Sequence, residues 1–317
     1  MRGAAVGATR ARAANEHATV EATAQSDKRR APGRSRPGAI DSAIWHEDIW
    51  WRHYVPRVIE RTEHDDVTAY RLSSWGSRLA GYRVHVFRVR DVLIDTGFPA
   101  AQRELASLLE PEPIRGAIVT HQHEDHAGNV AWLAARGVPM RMSEATHRAL
   151  RQPTRIGLYR HVTWRAMQPL QNDLIPLHDP SLSLVHAPGH SPDHHVVWDH
   201  DTNTVFAGDL FLGVRVRVAH VYESPAQQLR ALRDVIARQP SRVFCAHRGL
   251  LPDGVDLLAA KAAWLELLIA QVHALSETGL GVDAIRAQLL GPRGRTHWIS
   301  AGDYSPDHIV RAILRDR

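Results

Sequence analysis

Between Thr120 and Asn129 the chain reads Thr-His-Gln-His-Glu-Asp-His-Ala-Gly-Asn, with three histidines and two carboxylates within six residues. Imidazole and carboxylate are donors that zinc and similar divalent metals accept. The cluster follows the apolar run Gly116-Ala117-Ile118-Val119, which reads as a buried strand. Donors at the C-terminal end of a strand sit where open α/β sheets usually build their sites. Three later points repeat the arrangement singly. His190 lies in Ala187-Pro188-Gly189-His190, Asp209 in Ala207-Gly208-Asp209, and His247 in Cys245-Ala246-His247-Arg248-Gly249. Each follows an apolar run and sits in a turn that carries Gly or Pro. With 21 histidines in the chain, one near a strand end would read as structural. Four such points in order read as a set. The single cysteine, Cys245, excludes an intrachain disulfide and thiolate-rich zinc sites, so a metal must rest on His, Asp and Glu.

The elements that must position these groups alternate between strand and helix. Residues 82–89 show strand-like alternation, and 92–97 continue as a second short strand ending in Asp95-Thr96-Gly97. Helices are expected over 101–109 and 129–135, then a strand over 138–142 and a helix over 143–151 with Ser143 as N-cap. The second half repeats the logic. Strands are expected over 182–187, 195–198, 204–207 and 242–245, with a helix over 225–238 that has Ser224 at its N-cap and Pro225 at N1. Repeated alternation of this kind predicts a layered α/β fold. Beyond His247 the pattern turns helical, over 255–276, 284–290 and 306–314, forming an appendage of roughly 60 residues on the sheet or over the site.

The order and context of these motifs resemble the metallo-β-lactamase superfamily over residues 68–250. The resemblance implies an αββα sandwich with metals at one edge between the two sheets. It implies one metal held by His121, His123 and His190, a second held by Asp125, His126 and His247, and Asp209 bridging both. Asp95 matches the family's early Asp and is expected to orient a liganding histidine. Residues 1–42 are then a basic tail, 43–252 the catalytic domain and 253–317 the helical extension. Asp209 also points within the family. True β-lactamases of this fold lack that bridging Asp, whereas glyoxalase II-like thioesterases, lactonases and phosphodiesterases keep it.

Physical chemistry supports two metals beside the resemblance. Seven donors exceed what one tetrahedral ion uses. Two cations about 3.5–4 Å apart repel, so a carboxylate shared between them is expected, and Asp209 supplies it. Such ions, zinc first with iron or manganese as alternatives, would lower the pKa of a bridging water to give hydroxide near neutral pH. The chemistry expected is hydrolysis of a thioester, ester or lactone, with Asp125 and Asp209 as the catalytic carboxylates. A mononuclear iron enzyme like the persulfide dioxygenases, and a phosphodiesterase or nuclease, are the alternatives. The complete donor set argues against a non-catalytic scaffold.

Other residues read as secondary. Glu124 fills a variable position and is given no ligand role. Arg248 follows a ligand and has two readings, an anion contact or a surface salt bridge. Cys245, in an apolar run, reads as core, and His194 and His195 as structural. Tyr159 and Trp164 fall in an insertion between the halves, where the family often places a lid.

Net charge is +5, but eight of the basic and only three of the acidic residues lie in positions 1–40, leaving 31 of each sign in the rest. The globular body is therefore neutral overall, which gives no support to nucleic-acid binding. Residues 1–40 contain no aromatic side chain and read as a flexible basic tail, whereas Ile44, Trp45, Ile49, Trp50, Trp51, Tyr54 and Val55 read as packing surface. No apolar run is long enough to span a bilayer and no secretory signal is recognised. A cytoplasmic protein acting on a small-molecule substrate, without a membrane partner, is the expectation.

Overall fold

The computed structural model describes residues 58–317; the basic tail and the aromatic stretch that follows it lie outside the described residues. Among the described residues, eleven strands form two sheets. The first runs in the order β1 (Val58–His64), β2 (Val67–Ser73), β3 (Val84–Val89), β4 (Val92–Ile94), β5 (Gly116–Ile118) and β6 (Met140–Arg141), antiparallel up to β4 and parallel from β4 to β6. The second contains β7 (Leu182–His186), β8 (His195–Asp199), β9 (Thr204–Phe206), β10 (Arg242–Cys245) and β11 (Gly249–Leu250), with β7 and β11 at its edges.

Alternation along the strands decides which layer each side chain enters. In β3, Phe87 and Val89 face the second sheet, and Val84 and Val86 face the helices outside the first. In β10, Phe244 points inward to meet Phe87 and Phe206, while Val243 and Cys245 meet the outer helices. The core between the sheets therefore contains Ile94, Ile118, Val197 and these three phenylalanines. The helices Gln102–Leu109 and Val130–Ala134 cover the first sheet, and Pro225–Ala237 with the start of Gly254–Glu277 cover the second. This is the αββα sandwich with added C-terminal helices.

Gly254–Glu277 has two roles. Leu258, Ala262 and Leu265 pack on the second sheet, while Leu268 and Val272 join Ile285, Ile309, Val310 and Ile313 in a separate cluster with the terminal helices. The caps on Ser143 and Ser224 are present, with each hydroxyl accepting a backbone N–H from the first turn.

Some boundaries differ from expectation. The strand expected from Tyr82 begins at Val84, because Gly81 and Tyr82 close the preceding helix Trp75–Ala80, and the Tyr82 N–H donates to Ser77 at 2.7 Å. Ahead of the helix expected at 129–135, residues Glu124–Ala127 form a separate helical turn that carries Asp125 and His126. The insertion holds an unexpected short helix, Leu158–Trp164, packed beside Trp75–Ala80. No helix among the described residues is long and apolar enough to cross a membrane.

Candidate metal centre

The ends of β5, β7, β9 and β10 lead to one edge of the sandwich. There the seven sequence-selected residues form two groups, His121, His123, His190 and Asp209 in one, and Asp125, His126 and His247 in the other. The backbone at two of these turns has room only for glycine. Gly189, at φ +131°, would place a Cβ 2.3 Å from the Gln228 backbone nitrogen. Gly208, at φ +51°, would place one 2.7 Å from the His194 ring. Each immediately precedes a donor, so a side chain there would displace His190 or Asp209.

Donor atoms converge within each group. His121 Nε2 and His190 Nε2 both lie 3.0 Å from His123 Nδ1, and His190 Nε2 is 3.3 Å from Asp209 Oδ2. The other oxygen, Asp209 Oδ1, is 3.3 Å from both His126 Nε2 and His247 Nε2, and Asp125 Oδ2 is 3.4 Å from His247 Nε2. One carboxylate thus divides its two oxygens between the groups. His126 Nε2 and Asp209 Oδ1 are buried and lack a hydrogen-bond partner, a costly state unless something else occupies the space between them. Donors at about 2.0–2.1 Å around a tetrahedral ion stand roughly 3.3 Å apart, so both groups fit a divalent cation.

The outward ring nitrogens are held from behind, as metal-binding imidazoles usually are. Asp95 accepts from His126 Nδ1 at 2.7 Å and from the Thr120 hydroxyl and N–H at 2.8–3.0 Å. That hydroxyl lies 3.0 Å from His121 Nδ1, so Asp95 supports one histidine in each group. It does so from a left-handed backbone, φ +61°, a conformation in which Asp is one of the few tolerated side chains. His247 Nδ1–H donates to the Arg83 carbonyl at 2.5 Å. His123 Nε2 is 2.5 Å from the Tyr222 hydroxyl, and His190 Nδ1 is 3.6 Å from Glu223.

Charge follows geometry. Burial holds His121 and His123 well below the ordinary imidazole range, and the neighbouring rings add to the effect. Burial also opposes charge on His126 and His247, but Asp209 and Asp125 outweigh it and raise both. Burial works against ionising Asp209 too, yet His247, His126 and His190 hold it well below its usual value. The centre is an anionic bridge between two sets of imidazoles.

The remaining residues separate clearly. His194 is buried beneath the centre, accepting the Asp209 N–H at 3.0 Å, and burial lowers its pKa to about 3. His195 bonds the Asp193 carbonyl, and Cys245 lies in the core with its thiol on the Phe211 carbonyl. Glu124, at the variable position, forms a buried pair with Arg160, whose Nη2 and Nε lie 2.5 and 3.0 Å from one oxygen. Arg248 makes no salt bridge among the described residues; its Nε donates to the Leu212 carbonyl. A cavity of about 560 Å³ opens over His123, Asp125, His190, Asp209 and His247, and Tyr159, Arg160 and Trp164 of the insertion line it. Tyr222, Glu223 and Arg160 carry no sequence signal of their own.

The profile described as metallo-beta-lactamase superfamily matches residues 90–247. The Beta-lactamase-like protein 2 homolog of Drosophila melanogaster is 27% identical over 180 residues, covering 52% of this chain and 57% of that protein. The lactamase-like protein ptaB of Pestalotiopsis fici is 26% identical over 167 residues, covering 51% of this chain and 48% of that protein. The chain thus spans about half the length of these curated relatives. A metallo-beta-lactamase from Pontibacter korlensis superposes with a TM-score of 0.52 at 19% identity, over 66% of this chain and 99% of that one, a likeness of fold.

Proposed function

The chain belongs to the metallo-β-lactamase superfamily, and from that premise we propose that it is a two-metal hydrolase cleaving a thioester, ester or lactone. The observation that carries this reading is the division of the Asp209 carboxylate, with Oδ2 on the His190 side and Oδ1 on the side of His126 and His247. His121, His123 and His190 would hold one ion, and Asp125, His126 and His247 the other, with zinc preferred over iron or manganese for this donor set. When bound, the ions supply an activated water and Lewis acidity toward a carbonyl oxygen.

The chain's own residues do the rest. Asp209 would offset the repulsion between two bound cations. Asp125 lines the cavity with its carboxylate, placed to accept a proton as the nucleophile forms and to return it to the leaving group. Asp95 fixes the orientation of His126 directly and of His121 through Thr120, so these donors would receive an ion without reorganising. Trp164 and Tyr304 wall the cavity.

The test is a panel of thioesters, lactones, phosphodiesters and cephalosporins offered to the metal-loaded protein and to His123→Ala. Thioester or lactone turnover lost in the variant is expected. Fastest turnover of a phosphodiester or cephalosporin would redirect the reading. One iron per chain with oxygen consumption on a persulfide would overturn it.

A further inference from the structure

Resting on the hydrolase reading, we propose that the substrate carries an acidic group and that Arg83, Arg215 and Arg248 receive it at the rim of the cavity. All three guanidinium-bearing residues line the 560 Å³ space above the metal centre and all three are exposed. Several other arginines of the described residues are paired. Arg90 meets Asp199, Arg115 meets Asp179, Arg242 meets Asp66, and Arg160, which lines this same cavity, is neutralised by Glu124. No carboxylate forms an ion pair with Arg83, Arg215 or Arg248 among the described residues. The acid whose field Arg83 feels, Glu60, is itself bonded to Arg71. Three exposed guanidinium groups at one opening, none of them in an ion pair among the described residues, form an anion-attracting field at the cavity mouth.

Position narrows the class further. Arg83 is tied to the second donor group through its carbonyl, which accepts from His247, and Arg248 follows His247 directly in the chain. The Nε of Arg248 is already used on Leu212, which fixes the side chain and leaves its Nη groups for a ligand. The acid group therefore lies on the His247 side of the centre. Leu212, Val216 and Val218 line the same cavity and suit a short apolar segment between that acid and the reacting carbonyl. The substrate class is an acid-bearing acyl ester or thioester, its anion a carboxylate or a phosphate-like group.

Three thioesters of one thiol test this on the metal-loaded protein: succinyl, 3-phosphonopropionyl, and the neutral isostere succinamoyl. We expect kcat/KM for the acids to exceed that for the amide by about tenfold or more, the ratio falling with added salt. The combined variant Arg83→Gln, Arg215→Gln, Arg248→Gln should bring the ratio close to one. Preference for only one acid would identify which anion the site takes. Calorimetric binding of the uncleavable thioether analogues, acid against amide, gives the same comparison without turnover. If none of the three thioesters is cleaved, the thioester form of the hydrolase reading fails and the binding preference still decides this proposal. Equal turnover and equal binding of acid and amide, or an acid preference that survives in the triple variant, would overturn it.

Discussion

The two donor groups on either side of Asp209 use the same residue types but are held differently. The first gathers three imidazoles, two of which lean outward on Tyr222 and Glu223 from the loop before helix Pro225–Ala237. The second joins one carboxylate to two imidazoles, and its outward contacts are Asp95 and a backbone carbonyl. Exposure differs too, since the His247 side chain retains 16% of its surface against 4% for His190. The first group is thus the more enclosed and the second the more open, beside the arginine rim. Two ions in one centre should therefore differ in retention, and the more open one should exchange more readily.

Breaking each group in turn tests that difference most strongly. His123→Ala and His247→Ala should each reduce turnover on the order of 10³-fold, because a two-metal site acts as a unit. Elemental analysis should separate them. His247→Ala retains the enclosed ion, whereas His123→Ala loses it. Equal retention in the two variants would remove the distinction.

Asp95→Asn comes next. It supports a histidine in each group, so a fall of about 10–100-fold in metal affinity is expected, seen by competition with a chelator. Loss confined to one ion would show that the Thr120 link to His121 carries nothing. Tyr222→Phe removes a single outward contact on the enclosed side, and about tenfold weaker retention of that ion alone is expected.

Lys261 offers the smallest effect on the centre and a separate readout. Its Nζ donates to the Leu210 carbonyl directly behind Asp209, and burial lowers its pKa from 10.5 to about 8. Below pH 8 both folded and unfolded chains hold the proton, and the burial cost is fully present. Between about 8 and 10.5 the unfolded chain keeps a proton that the folded one has lost, so this group makes stability rise with pH. Lys261→Met should abolish that rise, which denaturant titrations at pH 7.5 and 9.5 would detect, while leaving both donor groups filled. An unchanged pH profile would show that Lys261 does not titrate there.

How much of this was legible in the sequence follows from where each group sits. His121, His123, Asp125 and His126 share one strand-end loop, so their spacing alone declared a cluster. His190, Asp209 and His247 were legible because each follows an apolar run at a turn, and two of those turns need a preceding glycine. Tyr222, Glu223 and Arg160 come from a loop and an inserted helix whose approach is set by tertiary packing, which leaves no local spacing to read. The layers were visible in the alternation of β3 and in the repeated succession of short apolar runs and helical stretches. The β1–β2 hairpin was not, because Glu60, Arg61, Thr62 and Glu63 form a mainly polar run that masks the period of a strand. The helix Leu158–Trp164 is only seven residues long, too short for a helical period to stand out.

In the proposed centre one carboxylate, that of Asp209, serves two ions. Elemental analysis of purified wild-type protein and of Asp209→Asn, each dialysed against metal-free buffer, tests it most directly. About two ions per chain in the wild type and fewer than one in the variant are predicted. A single ion per chain in the wild type, or two retained by Asp209→Asn, would contradict it.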